Sequence, residues 1–164
     1  MNSVVCRLIE FTRITRNGGG VAIYVNNQLP YTLLAPTLPD TSESLWIKLS
    51  LTNTRPILLG AVYRSQIEKD FCETFKPILH NVLDPINKGR KIPCEIVCVG
   101  DFNYDQFKTN TAEWREFEKT MSSFKLQQII TKATRIAKDS ESCIDHIWTN
   151  RPDMYSSRDV MCFF

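Results

Sequence analysis

Hydrophobic positions along this chain alternate, run together or recur every three to four residues, and each rhythm predicts a different element. After Gly18-Gly19-Gly20, the β-branched run Val21-Ala22-Ile23-Tyr24-Val25 closes on Asn26-Asn27, which predicts a loop, a strand and a turn. From Ser44 to Leu51 the pattern alternates, with Leu45, Ile47 and Leu49 on one side and Trp46 and Lys48 on the other. Ile57 to Tyr63 is continuously apolar, as a strand covered on both faces would be. A helix is expected from Ser65, where Ser65-x-x-Glu68 matches a capping box. Phe71, Phe75, Ile78, Leu79, Val82 and Ile86 follow at helical spacing, with Gly89 as a stop and Pro77 expected to kink or divide the helix. Glu95 to Val99 reads as a short buried strand ending at Gly100. A second helix is predicted by Trp114, Phe117, Met121 and Phe124, with Asn110 as its cap, and two more strands by Leu126–Ile130 and Cys143–Trp148. Trp46, on the polar phase of its strand, is expected to pack beneath the helices or to cover a sheet edge. Strands mixed with intervening helices give an α/β (α+β) class, with two sheets expected rather than one.

Composition narrows the functional classes only a little. The chain has 164 residues and is 43% hydrophobic, enough for the core of one domain. Its 20 basic and 18 acidic residues leave a formal charge of +2, so no global field argues for nucleic acid and any such argument must be local. None of the six cysteines forms a C-x-x-C pair and the two histidines are far apart, which argues against a zinc site and for free thiols in a reducing compartment. Arg7 and Glu10 interrupt any signal-peptide core and no apolar run reaches membrane-spanning length. The expectation is an intracellular protein, neither secreted nor in a membrane.

The most specific chemical feature is Val97-Cys98-Val99-Gly100-Asp101-Phe102-Asn103. An apolar strand here delivers a carboxylate and a carboxamide two residues apart, on one side of its end. Taken alone, Gly-Asp-x-Asn also reads as an ordinary turn. Other strand ends add to it. Asp145 and His146 lie between Ile144 and Ile147, where a carboxylate is costly unless paired. Alternation puts these two side chains on opposite faces, so His146 is read as structural. Tyr63 and Arg64 end the long apolar run with groups suited to phosphate, and Thr134-Arg135 precedes Cys143–Trp148.

In this order, Gly18 to Val25, Leu45-Trp46-Ile47-Lys48-Leu49, Val62-Tyr63-Arg64, Gly100-Asp101-Phe102-Asn103, Thr134-Arg135 and Ile144-Asp145-His146-Ile147 resemble the endonuclease/exonuclease/phosphatase superfamily. The glycine run and its strand resemble most the endonuclease domains of non-LTR (LINE-like) retrotransposons. The resemblance covers residues 12–150, leaving 1–11 and 151–164 as divergent ends. It implies two packed, mainly antiparallel sheets flanked by helices, a four-layer sandwich with the site at one end. It implies that Asp101 orients or deprotonates water, that Asn103 and Tyr63 hold the scissile phosphate, and that Asp145 supports them. Arg64, Thr134 and Arg135 are expected to face DNA, with a divalent cation, usually magnesium, as cofactor. The family's early Asn and metal-binding Glu, and its closing Ser-Asp-His, have no counterpart here; Glu10 is the only weak stand-in for the metal ligand. The sandwich is therefore expected to be incomplete. Three functions follow: a DNA-nicking endonuclease linked to a reverse transcriptase, a non-catalytic remnant binding nucleic acid through Arg64, Lys132, Arg135 and Lys138, or a phosphoesterase acting on a small substrate. An α/β interaction domain whose turns mimic these motifs is the bland alternative.

Overall fold

The computed structural model describes residues 6–11, 20–34, 43–88 and 94–155. Their elements run β1 (Cys6–Phe11), β2 (Val21–Asn26), β3 (Tyr31–Leu34), β4 (Glu43–Leu49), β5 (Ile57–Tyr63), α1 (Phe71–Asn87) and β6 (Glu95–Asp101). After these come α2 (Ala112–Ser123), β7 (Gln127–Gln128), β8 (Arg135–Ala137), β9 (Ser140–Ser142), β10 (Asp145–Thr149) and a 3-10 turn at Pro152–Met154. Six strands form one mixed sheet in the order β3-β4-β5-β6-β10-β7, while β1–β2 and β8–β9 are separate two-stranded hairpins. All neighbours in the large sheet are antiparallel except β5 and β6, which α1 connects as a parallel crossover.

Strand alternation explains the two cores. One face of the large sheet presents Trp46, Leu58, Val62, Ile96, Cys98 and Trp148 to the apolar stripes of α1 and α2. Trp46 lies beneath α1, its ring centroid 6.2 Å from that of Phe75. Its cross-strand partner is Gly60. A Cβ there would sit 2.4 Å from the indole, so the missing side chain makes room for the ring. The other face presents Leu45 and Ile47, which pack with Ile23 and Val25 of β2 and with half-buried Ile9 of β1. The order is therefore helices, six-stranded sheet and two-stranded sheet, three layers among the described residues, in keeping with the packed sheets and flanking helices expected of an incomplete sandwich. Strand β1 pairs with β2 and packs in this second layer through Ile9.

Several local expectations change. Helix α1 begins at Phe71 and not at Ser65: Glu68 N–H donates to Ser65 O at 3.0 Å, so the expected capping box is a tight turn between β5 and the helix. Pro77 neither ends nor divides α1. It and Glu73, whose carbonyl loses its partner to the proline, are both on the exposed face, where water can serve that carbonyl. Gly89, read as the helix stop, lies outside the described residues. The cap of α2 is Thr111, not Asn110; its hydroxyl accepts the Trp114 N–H at 3.2 Å. The strand expected at Leu126–Ile130 shrinks to two residues on the sheet edge. Cys72, Cys94, Cys98 and Cys143 are buried free thiols. No helix among the described residues is long and apolar enough to cross a membrane.

Candidate active site

Sheet register assembles the site. Glu43 pairs with Tyr63, Tyr63 with Asp101, and Asp101 with Asp145. Directly paired residues share a face, so these four side chains form one row across β4, β5, β6 and β10 at one end of the sheet. The row is on the face opposite α1 and α2, in phase with Leu45, Ala61, Val99 and Ile147. Asp101 and Asp145 stand directly opposed, an arrangement that costs a sheet stability. Burial holds the Asp101 carboxyl above its ordinary range, and the nearby Asp145 charge pushes the same way. The Asn103 N–H, Arg135 and Arg64 pull it back. Asp145 is exposed, and Tyr63 and Asp101 are half-buried.

A core device fixes the two strand ends together. Asp101 and Asp145 face the site while their successors, Phe102 and His146, turn into the helix-side core and stack at 5.4 Å between centroids. Trp148 Nε1 can only donate and reaches His146 Nδ1 at 3.3 Å, so Nε2 carries the proton and donates to Cys143 O at 3.0 Å. Burial keeps this imidazole neutral by lowering its pKa. His146 is thus structural, as alternation indicated. Gly100, paired with His146, has φ +151°, and a Cβ there would meet Val62 O at 1.7 Å. Only glycine lets β5 and β6 approach this closely.

Asn103, at φ +52°, turns the chain back toward β5. Its N–H donates to Asp101 Oδ1 at 2.9 Å and its Nδ2 to Arg64 O at 2.7 Å. Arg64 is 8% exposed. Its Nη1 donates to Phe102 O and Asn103 O, both at 3.3 Å, and its Nη2 to Glu68 O at 2.9 Å. The guanidinium lies 3.9 Å over the Tyr104 ring. Here the expectation of a DNA-facing Arg64 gives way: its donors hold the loop that carries Asn103. Thr134 is corrected in the same sense. It is 5% exposed. Its Oγ1 accepts the N–H groups of Ile144 and Asp145 at 3.1 and 3.0 Å, which fixes the start of β10. Arg135 alone of the three is exposed, on the β8–β9 hairpin beside Asp101.

Glu10 is not at this site. It pairs with Ala22 on the outer face of β1–β2, whereas its neighbour Ile9 pairs with Ile23 toward the large sheet. The carboxylate that does join the row is Glu43, 2% exposed, which accepts the Gly20 N–H and so ties Gly20 to β4. Sequence reasoning missed it because the alternating segment was begun at Ser44. One residue earlier, a carboxylate in phase with Leu45 and Ile47 was the available signal. Gln66 was also missed, because its turn was read as helix; its Nε2 donates to Asn103 Oδ1 at 3.1 Å.

No three His, Cys, Asp or Glu side chains among the described residues converge on a common metal position. The donor set at the strand ends is instead a pair of hard carboxylate oxygens. That suits magnesium, which binds through one or two carboxylates and fills its shell with water and substrate phosphate.

No family model matches the chain, and no curated protein does. Solved structures share its fold. It superposes on an endonuclease/exonuclease/phosphatase family protein from Bacteroides thetaiotaomicron with a TM-score of 0.57 at 17% identity, over 88% of this chain and 60% of that one. ANGEL2, a 2',3'-cyclic phosphatase, gives 0.64 at 12% identity over 88% and 62%. TDP2 from D. rerio, complexed with a single-strand DNA product, gives 0.51 at 12% identity over 88% and 61%. The chain therefore spans about three fifths of the length of each of these proteins.

Proposed function

We propose that this chain, which has the fold of endonuclease/exonuclease/phosphatase family proteins, carries phosphodiesterase chemistry directed at a nucleic-acid backbone. The observation that carries the proposal is the cross-strand Asp101–Asp145 pair, set beside Tyr63 and followed by Asn103. Two opposed carboxylates cost stability, and the reading gives that cost a purpose. Asp101, half-buried with a raised pKa, is the group for accepting a proton from attacking water. Asn103 and Tyr63 offer donors to the phosphate oxygens. Asp145 would hold magnesium, and the ion when bound supplies positive charge against the charge that grows on the phosphoryl oxygens. Arg64, Thr134 and His146 keep these groups in place from behind.

A polymeric substrate is favoured over a small phosphoester by exposure. Asp145 is open to solvent, and exposed Arg135 extends from the site on a hairpin that a backbone can lie along. The single-strand DNA product bound to TDP2 lends this support; the 2',3'-cyclic phosphatase activity of ANGEL2 supports the small-substrate alternative. The retroelement origin is part of the proposal and rests on the glycine run leading into β2, with a reverse transcriptase as the associated activity.

The test is nicking of supercoiled plasmid by purified protein in magnesium or EDTA, with hydrolysis of bis(p-nitrophenyl) phosphate in parallel. Magnesium-dependent nicking abolished by Asp101→Ala supports the proposal. Hydrolysis of the small ester without nicking transfers it to small substrates. Folded protein that binds DNA without cleaving it, equally in both buffers, makes the chain a binding remnant.

A further inference from the structure

A main-chain carbonyl can only accept a hydrogen bond. Because Asn103 Nδ2 lies 2.7 Å from Arg64 O, the nitrogen end of that carboxamide is fixed and its oxygen end faces away. There Gln66 Nε2 meets Asn103 Oδ1 at 3.1 Å. An amide oxygen also only accepts, so Gln66 must present its NH2 group and not its oxygen. The Asn103 backbone is held as closely, its N–H by Asp101 Oδ1 and its carbonyl by Arg64 Nη1. These bonds engage the Asn103 carboxamide oxygen and one of its two N–H donors. The second N–H is the group it can offer to a ligand. A carboxamide presented this way suits a phosphate oxygen and is ill suited to ligate a cation.

We infer that Gln66 is a positioning residue: by donating to Asn103 Oδ1 it sets which end of that carboxamide meets the substrate. The catalytic consequence rests on the phosphodiesterase reading; the hydrogen-bond chain itself does not. Gln66 is exposed, on the turn closed by Ser65 and Glu68, so replacing it leaves the core untouched.

The test compares Gln66→Glu, Gln66→Ala and Gln66→Lys with wild type, each checked by thermal melting. Ionised glutamate only accepts and opposes Asn103 Oδ1, whereas lysine only donates. With plasmid and magnesium, Gln66→Glu and Gln66→Ala are expected to lose about 10–100-fold, chiefly in kcat, as supporting residues behind reactive groups do. Gln66→Lys should stay within a few-fold of wild type. Gln66→Glu should regain rate relative to wild type as pH falls toward the glutamate pKa of about 4.3, where the carboxyl can donate. Glutamate as active as glutamine at neutral pH, or lysine as poor as glutamate, overturns the inference. A second readout needs no activity: the Asn103 side-chain amide signals in 1H–15N spectra, assigned with Asn103→Asp, should shift in Gln66→Ala. Unmoved signals overturn the inference. If those signals shift and wild type neither nicks plasmid nor hydrolyses bis(p-nitrophenyl) phosphate, the phosphodiesterase reading fails while the positioning of Asn103 by Gln66 stands.

Discussion

At the scale of single residues, the Asp101–Asp145 pair sets stability against the chemistry proposed for it. The raised Asp101 pKa means that the folded state favours the protonated acid more than the unfolded state does. Its stabilising contribution is complete below the ordinary pKa of about 3.9 and is lost as pH rises through the folded value. At pH 7, Asp101→Asn should therefore be more stable than wild type by about 1 kcal/mol, the scale of one opposed charge pair. The difference should shrink in acid, and thermal melts at pH 7 and pH 4 check it. On the proposed phosphodiesterase reading, the acid limb of the nicking profile should lie above the ordinary carboxylate range. Asp145→Asn should move that limb to lower pH while reducing the rate, because it removes repulsion that raises Asp101. A limb that stays in place would separate the two groups. His146 has the opposite sign: its lowered pKa makes protonation oppose folding, so stability falls as pH drops below about 6.5. His146→Phe fills the ring's place but orphans Trp148 Nε1 and leaves Cys143 O with the Gln106 N–H alone, at a cost of about 1–3 kcal/mol in denaturant titrations, and it should flatten that acid dependence.

At the scale of elements, closeness of β5 and β6 is what brings Tyr63 beside Asp101. Gly100→Ala must displace the Val62 carbonyl and accept a positive φ at once, with no rotamer to relieve the overlap. A loss of about 4 kcal/mol or more is expected, or failure to fold. Thr111→Ala, which removes one accepted N–H at the start of α2, should cost only about 1 kcal/mol. Equal losses in the two variants would show that the strand contact is not the stricter constraint. The helix stripe of α1 was legible from Phe71 onward because period 3.6 is a local signal. Its start was not, since Ser65–Glu68 can cap a helix or close a turn, and Arg64, reaching Glu68 O and the Asn103 loop, favours the turn.

At the scale of the whole molecule, β4, β5 and β6 are central and the β8–β9 hairpin stands apart with its β8 side chains exposed. Hydrogen exchange should accordingly be slowest in β5 and β6, faster in the edge strands β3 and β7, and fastest in β8–β9. Protection of β8–β9 equal to that of β5 would show this hierarchy to be wrong. The second layer packs on β4 and β5, while Val97, Val99 and Ile147 remain half-buried. What the sequence by itself determined is what local chemistry can encode: strand and helix periods, the delivery of Asp101 and Asn103 to a strand end, and the opposite faces of Asp145 and His146. Tertiary structure decided which strand ends meet. Register across four strands placed Glu43, Tyr63, Asp101 and Asp145 in one row, though more than a hundred positions separate the first from the last. It also turned the Arg64 and Thr134 side chains onto main-chain carbonyls and N–H groups and put Glu10 on the outer face of β1–β2. Pairing partners and burial depend on segments distant in the chain, and no local pattern of residue types records them.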